Sequence, residues 1–247
     1  MTATMAGDGT GDGTGTGTGA KTGNPMRIAI LISGRGSNML QLARHIDQND
    51  LACEIVLVAA NQDCAGLAGA AEHNLPTACV DRAAFDDRAA QETALGDHIE
   101  AAGADWIFLA GYMAVLSAGF VTRFAGRIIN IHPSLLPAHK GLHTHQRVLD
   151  AGDTRHGASV HIVTPALDDG PLILQAGLQL QFAETAESLA ARVLVLEHAL
   201  YPFVLETLVS GHLAVKDGIV QWREGETALH ESAAEISAVL NGCVIWP

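Results

Sequence analysis

Basic charge is scarce in this sequence. Lys and Arg number 14 against 27 Asp and Glu, giving a net charge of −13 over 247 residues. That deficit argues against a nucleic-acid surface, which needs basic runs to neutralise phosphates. It leaves room for a small anion, because the N–H groups at a helix N-terminus can hold one phosphate whatever the overall sign. Cysteine is scarce too. Cys53, Cys64, Cys79 and Cys243 form no C-x-x-C pair and no dense framework, so no disulfide scaffold and no thiol chemistry are read from them. Cys53 and Cys79 sit in or beside strand-like runs, where a thiol is expected to be a small buried hydrophobe. No uninterrupted apolar run reaches the roughly 18 residues of a membrane span. The opening MTATMAGDGTGDGTG has neither a basic nor an apolar region of the kind that directs secretion. The expectation is a cytoplasmic protein acting on small molecules as a monomer or homodimer, with neither nucleic acid nor membrane as a partner.

What is present is globular: 48% of residues are hydrophobic and 17% charged. Residues 1–25 are the exception. GDGTGDGTGTGTG alternates glycine with Asp or Thr, offers nothing apolar to bury, and is expected to be a disordered tail. From Met26 onward, short apolar runs alternate with helical patterns. MRIAILI, CEIVLVAA, TACV, DWIFLAG and RIINI read as strands, separated by helices over 38–46, 65–73 and 86–103. Continuous apolar strands with intervening helices predict an α/β fold: a Rossmann-like, mostly parallel sheet with helices on both faces. After residue 140 the pattern changes. A short helix over 143–152 precedes GASVHIVTP and PLILQAGLQL, which alternate around ALDDG and predict antiparallel strands toward the C-terminal part. A long apolar helix over 188–209 and a hairpin with Asp-Gly in its turn complete a single domain over 26–222. Residues 223–247 are left as a C-terminal extension.

Two places carry chemistry. The first is ILISGRGSNML, a strand, a glycine turn and a helix start. Its glycines allow close backbone approach, Ser37 or Asn38 can cap the helix, and the first-turn N–H groups suit a phosphate. A dinucleotide fingerprint would need a third glycine where Met39 stands and an acid where Asn61 stands. The second is IINIHPSLLPAH. Asn130 and His132, two positions apart on a strand, point to one side. Together they form a donor pair for a developing oxyanion. No Gly-x-Ser-x-Gly elbow and no nearby cysteine supplies a nucleophile, so the substrate must bring its own. A carboxylate near His132 would hold its ring charged. Asp168 and Asp169 in LDDGP are both placed to do this, and the residues alone do not choose between them. The group His139, His143 and His145 raises a metal site, but no H-E-x-x-H motif or cysteine partner supports one, and no metal is expected.

SGRGSN, AGYM, NIHPSLLP, GLHTH, GASVHIVT, LDDGP and LEHALYP stand in this order between Met26 and about Val220. In order and spacing they resemble the phosphoribosylglycinamide formyltransferases. The resemblance implies transfer of a formyl group from 10-formyltetrahydrofolate, the co-substrate, to the amine of glycinamide ribonucleotide in purine biosynthesis. It implies catalytic roles for Asn130, His132 and Asp168, and so prefers Asp168 to Asp169. Ribonucleotide contacts fall by resemblance on Gly36, Ser37, Asn38 and Glu197. Folate contacts fall on Arg88, Met113, Ala114, Val115, Leu116, Asn130, Thr164, Pro165, Ala166, Leu167 and Asp168. Ala114 stands where the family often carries a charge. A related transfer to a tRNA-bound amine would need a basic domain after the catalytic one, and about 27 residues after Val220 are too few for a five-stranded barrel.

Overall fold

The computed structural model describes residues 24–216, 218–222 and 244–245. The tail expected to be disordered therefore lies almost wholly outside the described residues, as does most of the C-terminal extension. The chain alternates β1 (Met26–Ile32), α1 (Ser37–Gln48), β2 (Cys53–Ala60), α2 (Ala65–Glu72) and β3 (Thr77–Cys79). A 3-10 turn precedes α3 (Arg88–Ala101), followed by β4 (Trp106–Leu109), α4 (Ala118–Arg123) and β5 (Ile128–His132). Then come α5 (Thr144–Ala151), β6 (Arg155–Ile162), β7 (Leu172–Gln179) and α6 (Ala186–Val209). Strands β8 (Leu213–Lys216), β9 (Ile219–Trp222) and β10 (Val244–Ile245) end the series.

The main sheet has the order β10-β7-β6-β5-β4-β1-β2-β3. Pairs from β3 through β5 are parallel, whereas β5–β6, β6–β7 and β7–β10 are antiparallel. Hence the mixed sheet expected from the change of pattern near residue 140 is the one observed. The hairpin β8–β9 stands as its own two-stranded sheet. Val244–Ile245, in the segment assigned to the extension, add a short edge strand beside Gln175 and Ala176.

Strand alternation divides the core. Ile28, Ile30 and Ile32 of β1 pack with Met39, Leu42 and the apolar side of α6 on one face. Ala29 and Leu31 pack with Leu95 and Ile99 of α3, with Phe120 and Val121 of α4 and with Phe124 just after it on the other. Helix α6 is long and apolar enough to cross a membrane by length and composition. Leu189, Val193, Leu196, Leu200 and Val204 are nonetheless packed in the core, which accounts for its hydropathy. Tyr201 fixes its register: the buried hydroxyl lies 3.0 Å from both Leu109 O, at the end of β4, and Ile129 O, within β5.

Three local expectations are corrected. Helix α4 was not foreseen, because AGFVTR is too short to show helical periodicity; Ser117 starts it by capping Phe120 N at 3.2 Å. The cap of α1 is Gly36, with φ 71° and no side-chain hydrogen bond, so Ser37 and Asn38 lie inside the helix. Cys79 is exposed, since β3 is a three-residue edge strand with little to cover it.

Candidate active site

The carboxyl ends of β1, β4 and β5 open on one side of the sheet, where ligands of open α/β folds bind. The turn after β1 is built by close backbone approach. Gly66 N, in the first turn of α2, donates to Gly34 O at 2.9 Å, and a Cβ on Gly66 would meet that oxygen at 2.6 Å. Ser33 ties three strand ends together. Its Oγ donates to Asn61 Oδ1 at 2.6 Å and accepts Met113 N at 2.8 Å, while its carbonyl accepts Gln62 Nε2 at 2.9 Å. Asn61, noted only for what it was not, is thus a support for the glycine turn.

Asn38 Nδ2 donates to Glu197 Oε2 at 2.6 Å, joining the start of α1 to α6. Glu197 is almost fully buried, and that desolvation pushes its carboxyl up to about 7 despite the lowering effect of the Asn38 bond. Asn38 Oδ1 is buried without a hydrogen-bond partner among the described residues. Gly36, Ser37 and Asn38 thus stand at the start of α1, which Asn38 ties to Glu197 of α6.

Strand β5 supplies the centre. Ile129 and Ile131 face the α6 side of the sheet. Alternation therefore puts Asn130 and His132 with Ile128 on the opposite face. The HPSLLP turn then folds back through buried bonds: Ser159 Oγ donates to Ser134 O at 2.6 Å and accepts Leu136 N at 3.0 Å. This return brings the carbonyl of His139 to 3.1 Å from His132 Nε2. A carbonyl only accepts, so it fixes a proton on Nε2. Any proton added to Nδ1 then makes the ring cationic.

Nδ1 faces Asp168 Oδ2 at 3.5 Å, longer than a good hydrogen bond but within ion-pair reach, and both side chains are buried. The LDDGP turn separates the two neighbouring acids. Asp168, with φ 47°, turns inward and accepts Gly141 N at 2.8 Å. Asp169 turns outward to Lys140, with over half its side chain exposed. Gly170 makes the inward turn possible, because a Cβ there would fall 1.8 Å from Ile162 O.

The residue missed by sequence reasoning is His161. It pairs with Asn130 across β5 and β6, and its Nε2 lies 3.1 Å from Asn130 Nδ2. Its Nδ1 donates to Ile162 O at 3.0 Å, so Nε2 accepts from the Asn130 amide. Burial lowers its pKa, in keeping with a neutral ring. One Asn130 N–H is thereby held and the other is left for the site. Only the strand register could have revealed this pair.

Two of the three histidines considered for a metal have other partners. His139 Nε2 lies 2.6 Å from Asp153, His143 is the N-terminal cap of α5, and His145 Nδ1 lies 3.0 Å from the buried His156 Nε2. Burial lowers His145 and takes His156 to about 4. Among the described residues no group of three or more His, Cys, Asp or Glu is arranged to hold a metal ion.

Besides Asn130 and Asp168, the residues assigned to folate lie at the start of α3 and in the segments after β4 and β6. Arg88 opens α3, and Met113–Leu116 follow β4, with Met113 and Val115 exposed and Leu116 buried. Thr164 to Leu167 lead into Asp168, and Leu167 is exposed. Among the described residues, Met113, Val115, Leu142 and Leu167 are four of the seven large exposed apolar side chains, and all lie outside the helices and strands.

A formyl transferase family profile matches residues 26–205. Phosphoribosylglycinamide formyltransferase of Escherichia coli is 40% identical over 202 residues, covering 81% of this chain and 95% of that one. The structure of phosphoribosylglycinamide formyltransferase from Coxiella burnetii, in complex with CHES, superposes with a TM-score of 0.75 at 44% identity, covering 80% of this chain and 93% of that one. Glycinamide ribonucleotide transformylase 1 from Symbiobacterium toebii gives 0.78 at 34% identity, covering 82% and 96%.

Proposed function

The chain belongs to the formyl transferase family, and from that premise we propose that it moves the formyl group of 10-formyltetrahydrofolate to the amine of N1-(5-phosphoribosyl)glycinamide, a step of purine (IMP) biosynthesis. Residues 26–222 are the transferring unit, it works in the cytoplasm, and its partners are these two small molecules. The observation that carries the reading is the convergence of Asn130, His161, Asp168 and His132 around the carboxyl end of β5.

In this reading Gly36, Ser37 and Asn38 receive the phosphoribosyl group at the start of α1, and Glu197 faces the glycinamide. Arg88, Met113–Leu116 and Thr164–Asp168 receive the folate. The neutral amine attacks the formyl carbon, forming a C–N bond. The oxyanion develops against the free Asn130 N–H and the Nδ1–H of His132. Asp168 faces Nδ1 and His139 O accepts from Nε2, so both ring nitrogens meet acceptors. Asp168, directly or through water, relays the proton lost by the attacking amine toward the folate nitrogen, which leaves as its bond to the formyl carbon breaks. Holding both substrates side by side contributes by orientation as well.

The test is transfer of formyl from 10-formyltetrahydrofolate to glycinamide ribonucleotide by the purified protein, followed beside release of free formate. Transfer dependent on the ribonucleotide is the expected result; formate release without transfer refutes it.

A further inference from the structure

Arg88 is tethered rather than free to swing. Its Nε donates to Glu92 Oε1 at 2.7 Å, one turn along α3, and its Nη2 donates to Val115 O. Glu92 is buried, an uncommon place for a carboxylate unless donors surround it. The further donors come from Ser117: its N–H reaches Oε1 at 3.0 Å, and its hydroxyl reaches Oε2. That hydroxyl also accepts Phe120 N and caps α4. At the other end of the same segment, Met113 N is held by Ser33 Oγ. Residues 113–116 therefore hang between two fixed points, with Arg88 fastened to their middle.

We propose that Glu92 is a positioning residue for the formyl donor, its carboxylate holding the Arg88 guanidinium and the Met113–Leu116 segment in the arrangement that receives the folate. This rests on the assignment of Arg88 and Met113–Leu116 to the folate made above. A long guanidinium side chain and an exposed turn both lose conformational freedom when a ligand docks. Glu92 removes that loss beforehand for both at once. It touches neither substrate nor the reacting atoms, so its effect falls on one substrate's binding and not on the chemical step.

Steady-state kinetics on the full chain decide it. Glu92→Ala is expected to raise the KM for 10-formyltetrahydrofolate about tenfold, the scale of hydrogen bonds to a charged group. The turnover number and the KM for the ribonucleotide should stay within about twofold of the parent. Glu92→Gln keeps an oxygen for Arg88 Nε and Ser117 N and should recover most of the loss. Arg88→Ala should raise the same KM, and the double variant should show less than the product of the two single effects. Should Glu92→Ala not fold, Ser117→Ala carries the test, with a smaller rise in the same constant alone. An unchanged folate KM in Glu92→Ala beside an impaired Arg88→Ala overturns this inference only. A normal folate KM in Arg88→Ala removes that residue from the folate site and defeats the reading beneath it. Equal rises in both KM values, or full multiplication in the double variant, reduce Glu92 to a general support of the fold and overturn the proposal.

Discussion

Asn38 and Glu197 meet at 2.6 Å across 159 positions of sequence, an amide in the first turn of α1 against a carboxylate in the middle of α6. The bond lowers the Glu197 carboxyl less than burial raises it, so the group titrates at about 7 in the folded protein. Its ordinary value is 4.5, so between those two pH values the folded state holds a proton that the unfolded state has lost. Stability from this group is therefore complete below about pH 4.5 and is lost as pH rises through about 7. The size is on the order of 3 kcal/mol. Glu197→Gln keeps an acceptor for Asn38 without the charge, and should flatten the fall in denaturation free energy between pH 5 and pH 8. A variant with the same slope as the parent would show that Glu197 is not the group responsible.

Much of this site was legible before the structure. Met26–Ile32 and Cys53–Ala60 announce themselves as apolar runs, interrupted only by Arg27 and Glu54 near their starts, because strands covered on both faces have little polar side to show. The side-by-side placing of Asn130 and His132 follows from strand geometry alone. The choice between Asp168 and Asp169 does not: it depends on a residue with φ 47° in a turn that folds back against Ile162, a long-range fit. His161 was invisible for a similar reason. Its role comes from register with Asn130, and register is set by the whole sheet. Glu92 carried no signal of its own, because what marks it is its bonds to Ser117 at the start of α4, a helix too short to foresee.

Gly36 should not tolerate a side chain. Its φ of 71° lies in the left-handed region, and a Cβ would meet Gly66 Cα at 3.1 Å and Met39 Cε at 3.0 Å. Gly36→Ala combines backbone strain of about 1–2 kcal/mol with a shift of α1 against α2. The KM for the ribonucleotide should rise about tenfold or more, and that for the folate much less. Equal changes in both, read from initial rates, would detach the glycine turn from the phosphate.

Tyr201 should prove a structural anchor for the ribonucleotide corner. Its hydroxyl hydrogen is shared between Leu109 O and Ile129 O, one helical turn beyond Glu197. Tyr201→Phe fills the same space but leaves those buried carbonyls short of a donor, at a cost of about 1–2 kcal/mol. The melting temperature should drop by roughly 2–8 °C for a domain of this size. An unchanged melt would mean that other donors already satisfy both oxygens.

The decisive comparison is between two adjacent acids. Asp168 faces His132 Nδ1 at 3.5 Å and is buried, whereas Asp169 pairs with Lys140 in solvent. If the ring must be cationic to meet the oxyanion, removing the buried acid should act like removing the ring. His132→Ala and Asp168→Ala should each lower the turnover number by about two orders of magnitude or more, the scale of a lost acid or oxyanion donor. Asp169→Ala loses only an exposed ion pair, worth about 0–1 kcal/mol, and should turn over at close to the parental rate. Because Asp168 acts through His132, adding Asp168→Ala to His132→Ala should cost little more. Near-normal transfer by either single variant, or full multiplication in the double, would separate the two residues and end the role given to the imidazolium.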